Sequence, residues 1–298
     1  MKKLITVTLI SAMVFALGAC SSKEADTTTQ EDAAVTEQTT EATTEETTDQ
    51  ATDAATDETA SLTLEDGVLQ VGMEIGYPPM EYLAEDGTTQ IGFDVEVAQA
   101  VADELGLELK IIDTAWDGIF ASLDSDRYDC IISAVSITDD RKAAYNLTEA
   151  YVANRIVLVT PIEAGITSPE DLAGKSVAVQ TETTSDEYMK GLQENGLELS
   201  DYFVYDKVIQ CFDDLKVGRV DSVMTDSVVA AYYMGTDADK YEVSWESPDA
   251  EPMAICLKKG NDNLTQEIET AIDTLYANGK MTEIATKYFG YDVTEGVR

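Results

Sequence analysis

No histidine occurs among the 298 residues, which removes Ser–His and Cys–His nucleophilic pairs and the commonest metal ligand together. No Asp/Glu couple stands out as an acid and base, and no cofactor or metal is expected. Cys130, Cys211 and Cys256 lie in apolar or mixed runs, with spacings that fit neither a zinc site nor a dense disulfide scaffold. Buried free thiols are expected there, with one disulfide left open. The informative polar residues are few. Ser136-Ile137-Thr138 leads to Arg141, whose planar fork can pair with two carboxylate oxygens, or can simply open a surface helix. Thr138 itself reads as a turn or cap. Asp226 precedes Ser227-Val228-Val229-Ala230-Ala231 and reads as a helix N-cap, although a carboxylate has acceptor sites beyond those a cap uses. Thr183 and Thr184 also look like caps, and a helix N-terminus favours an anion.

The elements that must position these residues follow from periodicity. Val68–Met73 reads as a strand. Phe93–Leu105 reads as a helix, with Phe93, Val97, Val101 and Leu105 on one face and Gly106 as its stop. Strands are expected at Leu107–Ile112 and Asp129–Ser133. Ser168-Pro169-Glu170-Asp171 reads as a strong helix start. Then come a strand at Ser176–Gln180, a helix at Ser185–Asn195, and a strand at Val220–Met224 feeding a helix from Asp226. A strand at Ala254–Leu257 and helices near 263–278 and 280–288 finish the chain. Short apolar runs alternating with amphipathic segments argue for an α/β fold with largely parallel sheets. Two such units with a late return suggest two lobes crossed by two connections.

The first 60 residues are different. Lys2 and Lys3, an apolar run Leu4–Leu17 and the pair Gly18-Ala19 form a secretory signal, too short to span a bilayer. Leu17-Gly18-Ala19-Cys20-Ser21 resembles a bacterial lipobox, so 1–19 is expected to be removed and Cys20 lipidated. Residues 21–60 are nearly all Thr, Ala, Glu, Asp, Gln and Ser, and are expected to form a disordered acidic tether. The whole chain carries −39, from 19 basic and 58 acidic residues. Residues 1–60 hold three basic and twelve acidic groups, which leaves −30 for the rest. Nucleic acid is thereby excluded as a partner for a basic patch.

The run Gly92-Phe93-Asp94-Val95-Glu96-Val97, followed by Val101, Ala102 and Leu105, resembles the signature of the bacterial extracellular solute-binding proteins of family 3. Tyr77-Pro78-Pro79-Met80, Trp116-Asp117-Gly118, Tyr128-Asp129, Ser136-Ile137-Thr138 to Arg141, Gln180-Thr181-Glu182-Thr183-Thr184, and Asp221 to Thr225-Asp226 follow the family order over nearly all of 62–290. The resemblance implies a two-lobed periplasmic-binding-protein-like fold of type II, with two α/β lobes joined by two hinge strands. Lobe 1 would be 61–155 plus 254–298, and lobe 2 would be 156–253. It further implies capture of a free L-amino acid for an ABC permease, by an extracytoplasmic, lipid-anchored monomer. By family position, Arg141 clamps the ligand carboxylate with Ser136, the Ala134 backbone and the Thr183/Thr184 helix end. Asp226 pairs with the ammonium, Tyr77 and Trp116 sandwich the side chain, and Glu74 and Gln180 read its end. One departure is Glu182, where the family usually has Gly. With Glu74 and Asp117 in the same motifs, a polar or cationic amino acid is favoured. The other readings are a ligand-sensing surface lipoprotein and a dehydratase-type enzyme on the same fold.

Overall fold

The computed structural model describes residues 61–235 and 237–298, so the signal segment, Cys20 and the tether lie outside the described residues. The described part contains two five-stranded sheets. The first is built from β1 (Val68–Met73), β4 (Glu108–Asp113), β5 (Cys130–Ile131), β6 (Tyr145–Leu147) and β12 (Cys256–Lys258), in the order β4-β1-β5-β12-β6. The second uses β7 (Ile156–Pro161), β8 (Ser176–Gln180), β9 (Asp201–Tyr205), β10 (Ser222–Asp226) and β11 (Tyr241–Glu246), in the order β11-β7-β10-β8-β9. A small ribbon, β2 (Tyr82–Leu83) with β3 (Gln90–Ile91), completes the strands.

The expectation of largely parallel sheets is corrected. Each sheet has two parallel and two antiparallel pairings. The antiparallel ones fall on the strands that flank the crossings: the chain leaves a lobe on β6 and β11 and enters one on β7 and β12, with no crossover helix between them to set a parallel direction.

Alternation fixes each face. Leu69, Val71 and Met73 of β1 are fully buried in the same core as Phe93, Val97 and Val101 of α1 (Phe93–Leu105). On the opposite face a Cβ at Gly72 would sit 2.3 Å from the Tyr128 ring, so that ring fills the space a side chain would need. Cys130, Cys211 and Cys256 are buried free thiols. The signal at Ser168 gives only a 3₁₀ turn, Pro169–Leu172, closed by a capping box between Ser168 and Asp171. Ala173 and Gly174 follow it, and Gly174 takes a positive φ that turns the chain toward β8. Sequence periodicity passed over α2 (Trp116–Asp124), α3 (Asp139–Ala144) and α5 (Val208–Lys216), which are short. The remaining helices are α4 (Thr184–Glu194), α6 (Ser227–Met234), α7 (Asp262–Ala277) and α8 (Lys280–Phe289).

Residues 148–155 and 247–255 are the two segments that pass between the lobes. They run side by side: Tyr151 N donates to Met253 O (2.9 Å), Met253 N to Val152 O (2.9 Å) and Glu251 N to Asn154 O (2.9 Å).

Candidate ligand-binding site

Parallel strands of both sheets point their C-terminal ends into the space between the lobes, where an open α/β sheet places its crevice. Glu74 follows β1, and Ser133, Ala134 and Ser136 follow β5. From the other lobe Gln180 ends β8 and Asp226 ends β10, with Thr183 and Thr184 at the start of α4. Trp116 opens α2, and Arg141 lies in α3. All ten residues singled out from the sequence line one cavity of about 310 Å³, together with Glu81 and Ser133.

Arg141 is the cation of the cavity. Thr138 caps α3, its hydroxyl accepting from Arg141 N (3.1 Å). The Arg141 Nη1 donates to Ser136 O at 2.9 Å. Its guanidinium lies 5.5 Å from the Trp116 ring centroid and 5.1 Å from that of Phe120, so it rests against both rings. Phe120 was missed in the sequence, although it stands one turn after Trp116 on the same helix face. Among the described residues Arg141 forms no salt bridge. Burial draws its pKa below the ordinary value. Four of its five N–H donors remain for an anion.

Asp226 is the anion opposite. It stands at the N-cap position of α6 but makes no capping bond with its side chain. Asn154 takes over that task, its Oδ1 accepting from Ser227 N (3.1 Å) and Ser227 Oγ (3.0 Å). The Asp226 carboxylate therefore faces the cavity, accepting from Tyr77 Oη (2.6 Å) and Asn154 Nδ2 (2.6 Å). Burial raises its pKa, against the pull of those two donors and of Arg141. Thr183 does cap its helix, accepting from Asp186 N at 3.3 Å, while Thr184 Oγ1 donates to Glu251 Oε2 at 2.8 Å.

Glu74 and Gln180 meet across the lobes, Gln180 Nε2 donating to Glu74 Oε2 at 2.8 Å. Gln180 Oε1 is buried without a hydrogen-bond partner. Burial pushes Glu74 up to about 7, opposed by Gln180 and by the charge of Lys207. Lys207 Nζ donates to Ile75 O at 2.9 Å. Glu182 has φ +56°, which explains why glycine suits this position, and its side chain is exposed. Its backbone does the local work: its N–H donates to Asp186 Oδ2 (2.8 Å) and its carbonyl accepts from Trp116 Nε1 (3.0 Å).

Two lobes thus meet around a cavity with a cation, Arg141, on one side and an anion, Asp226, on the other, a charge pattern complementary to a small zwitterion. Residues 69–291 match the bacterial extracellular solute-binding proteins, family 3, and the chain belongs to that family. It is 34% identical over 233 residues to the L-cystine-binding protein TcyJ of Escherichia coli (strain K12), covering 78% of this chain and 86% of that one. It is 33% identical over 237 residues to an L-arginine-binding protein of Pseudomonas aeruginosa, covering 76% and 90%. Among solved structures, an ancestral arginine-binding protein bound to arginine matches with a TM-score of 0.71 and 32% identity, covering 75% of this chain and 99% of that one. A substrate-binding protein of an ABC uptake transporter from Streptococcus pneumoniae with bound histidine gives 0.72 and 29%, covering 77% and 95%. By name these relatives bind cystine, arginine or histidine. No helix among the described residues is long and apolar enough to cross a membrane.

Proposed function

We propose that this chain is the substrate-binding lipoprotein of an ABC importer, capturing a free L-amino acid whose side chain ends in N–H donors. The carrying observation is the opposition of Arg141 and Asp226 across one cavity, each with hydrogen-bonding capacity beyond its protein partners. Arg141, with Ser136, Ala134 and the Thr183/Thr184 end of α4, takes the α-carboxylate. Asp226 takes the α-ammonium. Tyr77 and Trp116 flank the side chain, and Glu74 with the unpartnered Gln180 Oε1 accepts from its end. Acceptors at that end favour a cationic or amide side chain and disfavour an acidic one.

L-Cystine is the second reading, supported by the relative that binds it and by Lys207 beside Glu74. Its distal ammonium would meet Glu74 and its distal carboxylate Lys207. In this proposal residues 61–155 and 254–298 form lobe 1, and 156–253 form lobe 2. Residues 1–19 are a signal segment, Cys20 carries lipid, and 20–60 tether a monomer beside its permease. No catalysis is assigned.

A thermal-shift screen against the twenty amino acids, ornithine and cystine tests this. A ligand at 100 times its dissociation constant adds about 2.7 kcal/mol to stability. A shift with arginine, lysine, ornithine, histidine or glutamine supports the first reading, and one with cystine alone supports the second. No shift with any of them, in protein stripped of carried-over ligand, overturns both.

A further inference from the structure

We propose that Glu81 and Asp94 share a single proton and together act as the positioning pair for the Ser133–Ser136 wall, tying affinity to an acid pair behind the ligand. The inference rests on the amino-acid-binding reading of this cavity.

The two carboxyls are brought together from both sides. Asp94 is the second residue of α1, and the start of that helix is stitched to the chain carrying Glu81: Phe93 N donates to Pro79 O (2.9 Å) and Asp94 N to Met80 O (2.8 Å). Facing them are two consecutive residues. Ser133 Oγ donates to Glu81 Oε1 at 2.6 Å, and Ala134 N donates to Asp94 Oδ2 at 2.8 Å. Tyr151 Oη, from the first crossing segment, donates to Asp94 Oδ1 at 2.8 Å. Both side chains are fully buried. Three of their four oxygens therefore meet protein donors, while Glu81 Oε2 is buried with none.

No lysine or arginine among the described residues forms a salt bridge with either carboxyl. The other charged group facing them is Glu74, at the end of β1, whose negative charge raises Glu81 further. Two adjacent carboxylates without a cation, shut away from water, cannot both stay ionised at modest cost. A proton on Glu81 Oε2, donated to Asp94, satisfies the one orphaned atom and removes the repulsion. The titration directions agree. Burial, then the Asp94 charge, hold Glu81 well above the usual carboxylate range, and burial lifts Asp94 to about 7 against its two donors.

The wall depends on this pair because of its own backbone. Ala134 has φ +49°, a conformation that its Cβ disfavours, and its N–H bond to Asp94 helps to hold it there. Ser133 Oγ also accepts from Glu74 N (3.0 Å), and three residues further on Ser136 O receives the Arg141 guanidinium. One segment thus carries both the carboxylate clamp and the side-chain reader. When the shared proton leaves, two like charges press apart beneath it.

Glu81→Gln is the discriminating variant, because its amide N–H stands permanently where the proton sits and its oxygen keeps Ser133. Binding of the best amino acid would be followed by calorimetry from about pH 7 to about pH 10. Each protein's affinity is referred to its own value near neutrality. Toward alkaline pH the wild type should lose about tenfold more affinity, the equivalent of one pK unit. Titration of the ligand's own ammonium is common to both proteins and cancels. Superimposable pH profiles would overturn the proposal. If the variant does not fold, infrared spectra of the wild type decide. A protonated-carboxyl carbonyl band persisting at about pH 8, above the Glu74 titration, is expected, and its absence overturns the pair. That measurement needs no ligand, so it stands apart from failure of the amino-acid reading.

Discussion

At the scale of single residues, burial outweighs the nearby Lys207 charge at Glu74. Its carboxyl titrates near 7 in the fold against an ordinary 4.5, because desolvation outweighs the hydrogen bond from Gln180. A raised carboxyl means that the folded state binds its proton more tightly than the unfolded chain. The stabilising contribution is complete below about 4.5 and is lost as pH rises through about 7. Ligand-free Glu74→Gln should therefore equal the wild type near pH 4.5 and exceed it, by on the order of 3 kcal/mol, above about pH 7. Thermal melts across that range measure the gap, and parallel curves would contradict it. A cationic side chain reverses the sign for binding: it favours ionised Glu74, so affinity for arginine or lysine should rise toward neutral pH with proton release. Calorimetry in buffers of different ionisation enthalpy reads that release. Arg141→Lys keeps the charge but loses the planar fork, so affinity should fall by about 2 kcal/mol or more with little change in melting temperature. Most of this site was legible because clusters such as Ser136–Arg141 and Gln180–Thr184 are contiguous in the chain. Glu81, Ser133, Asn154 and Glu251 were not, since each acts through a partner distant in sequence, and only the fold brings them together.

At the scale of elements, the backbone sets what the sequence can change. A Cβ at Gly92 would lie 2.1 Å from Met80 O, at a φ of +139°. Gly92→Ala is expected to destabilise by about 2–3 kcal/mol, by pushing α1 off the segment that carries Glu81. An unchanged melting temperature would refute this. Glu182 is the converse case. With φ +56° and an exposed side chain, Glu182→Gly should stabilise by about 1 kcal/mol and leave affinity unaltered. A change in ligand preference would mean that the carboxylate reaches the site. Helices with a full apolar stripe, such as α1 and α7, were readable from the sequence, as was Gly106 as the stop of α1. The six-residue α3 was not, because it buries no apolar side chain and leaves no apolar periodicity to find. Ser168 misled for a related reason: capping chemistry can close a single 3₁₀ turn as well as it can start a helix.

At the scale of the whole molecule, the lobes touch through bonds that surround the cavity. Tyr77–Asp226, Gln180–Glu74, Trp116–Glu182 and Lys207–Ile75 all run from one lobe to the other. A ligand that adds contacts to Arg141 and Asp226 together does so only when the lobes are closed, so binding shifts the population toward closure. The two-lobe plan was legible from the repeated α/β alternation and the late return of the chain. Strand direction was not, because a short apolar strand reads alike in either sense. The most direct test of capture between the lobes is titration calorimetry of the best-binding amino acid into the wild type and Asp226→Ala. Binding by the wild type and none by the variant, at similar melting temperatures, is the expected result. Undiminished affinity in Asp226→Ala would contradict a site built from both lobes.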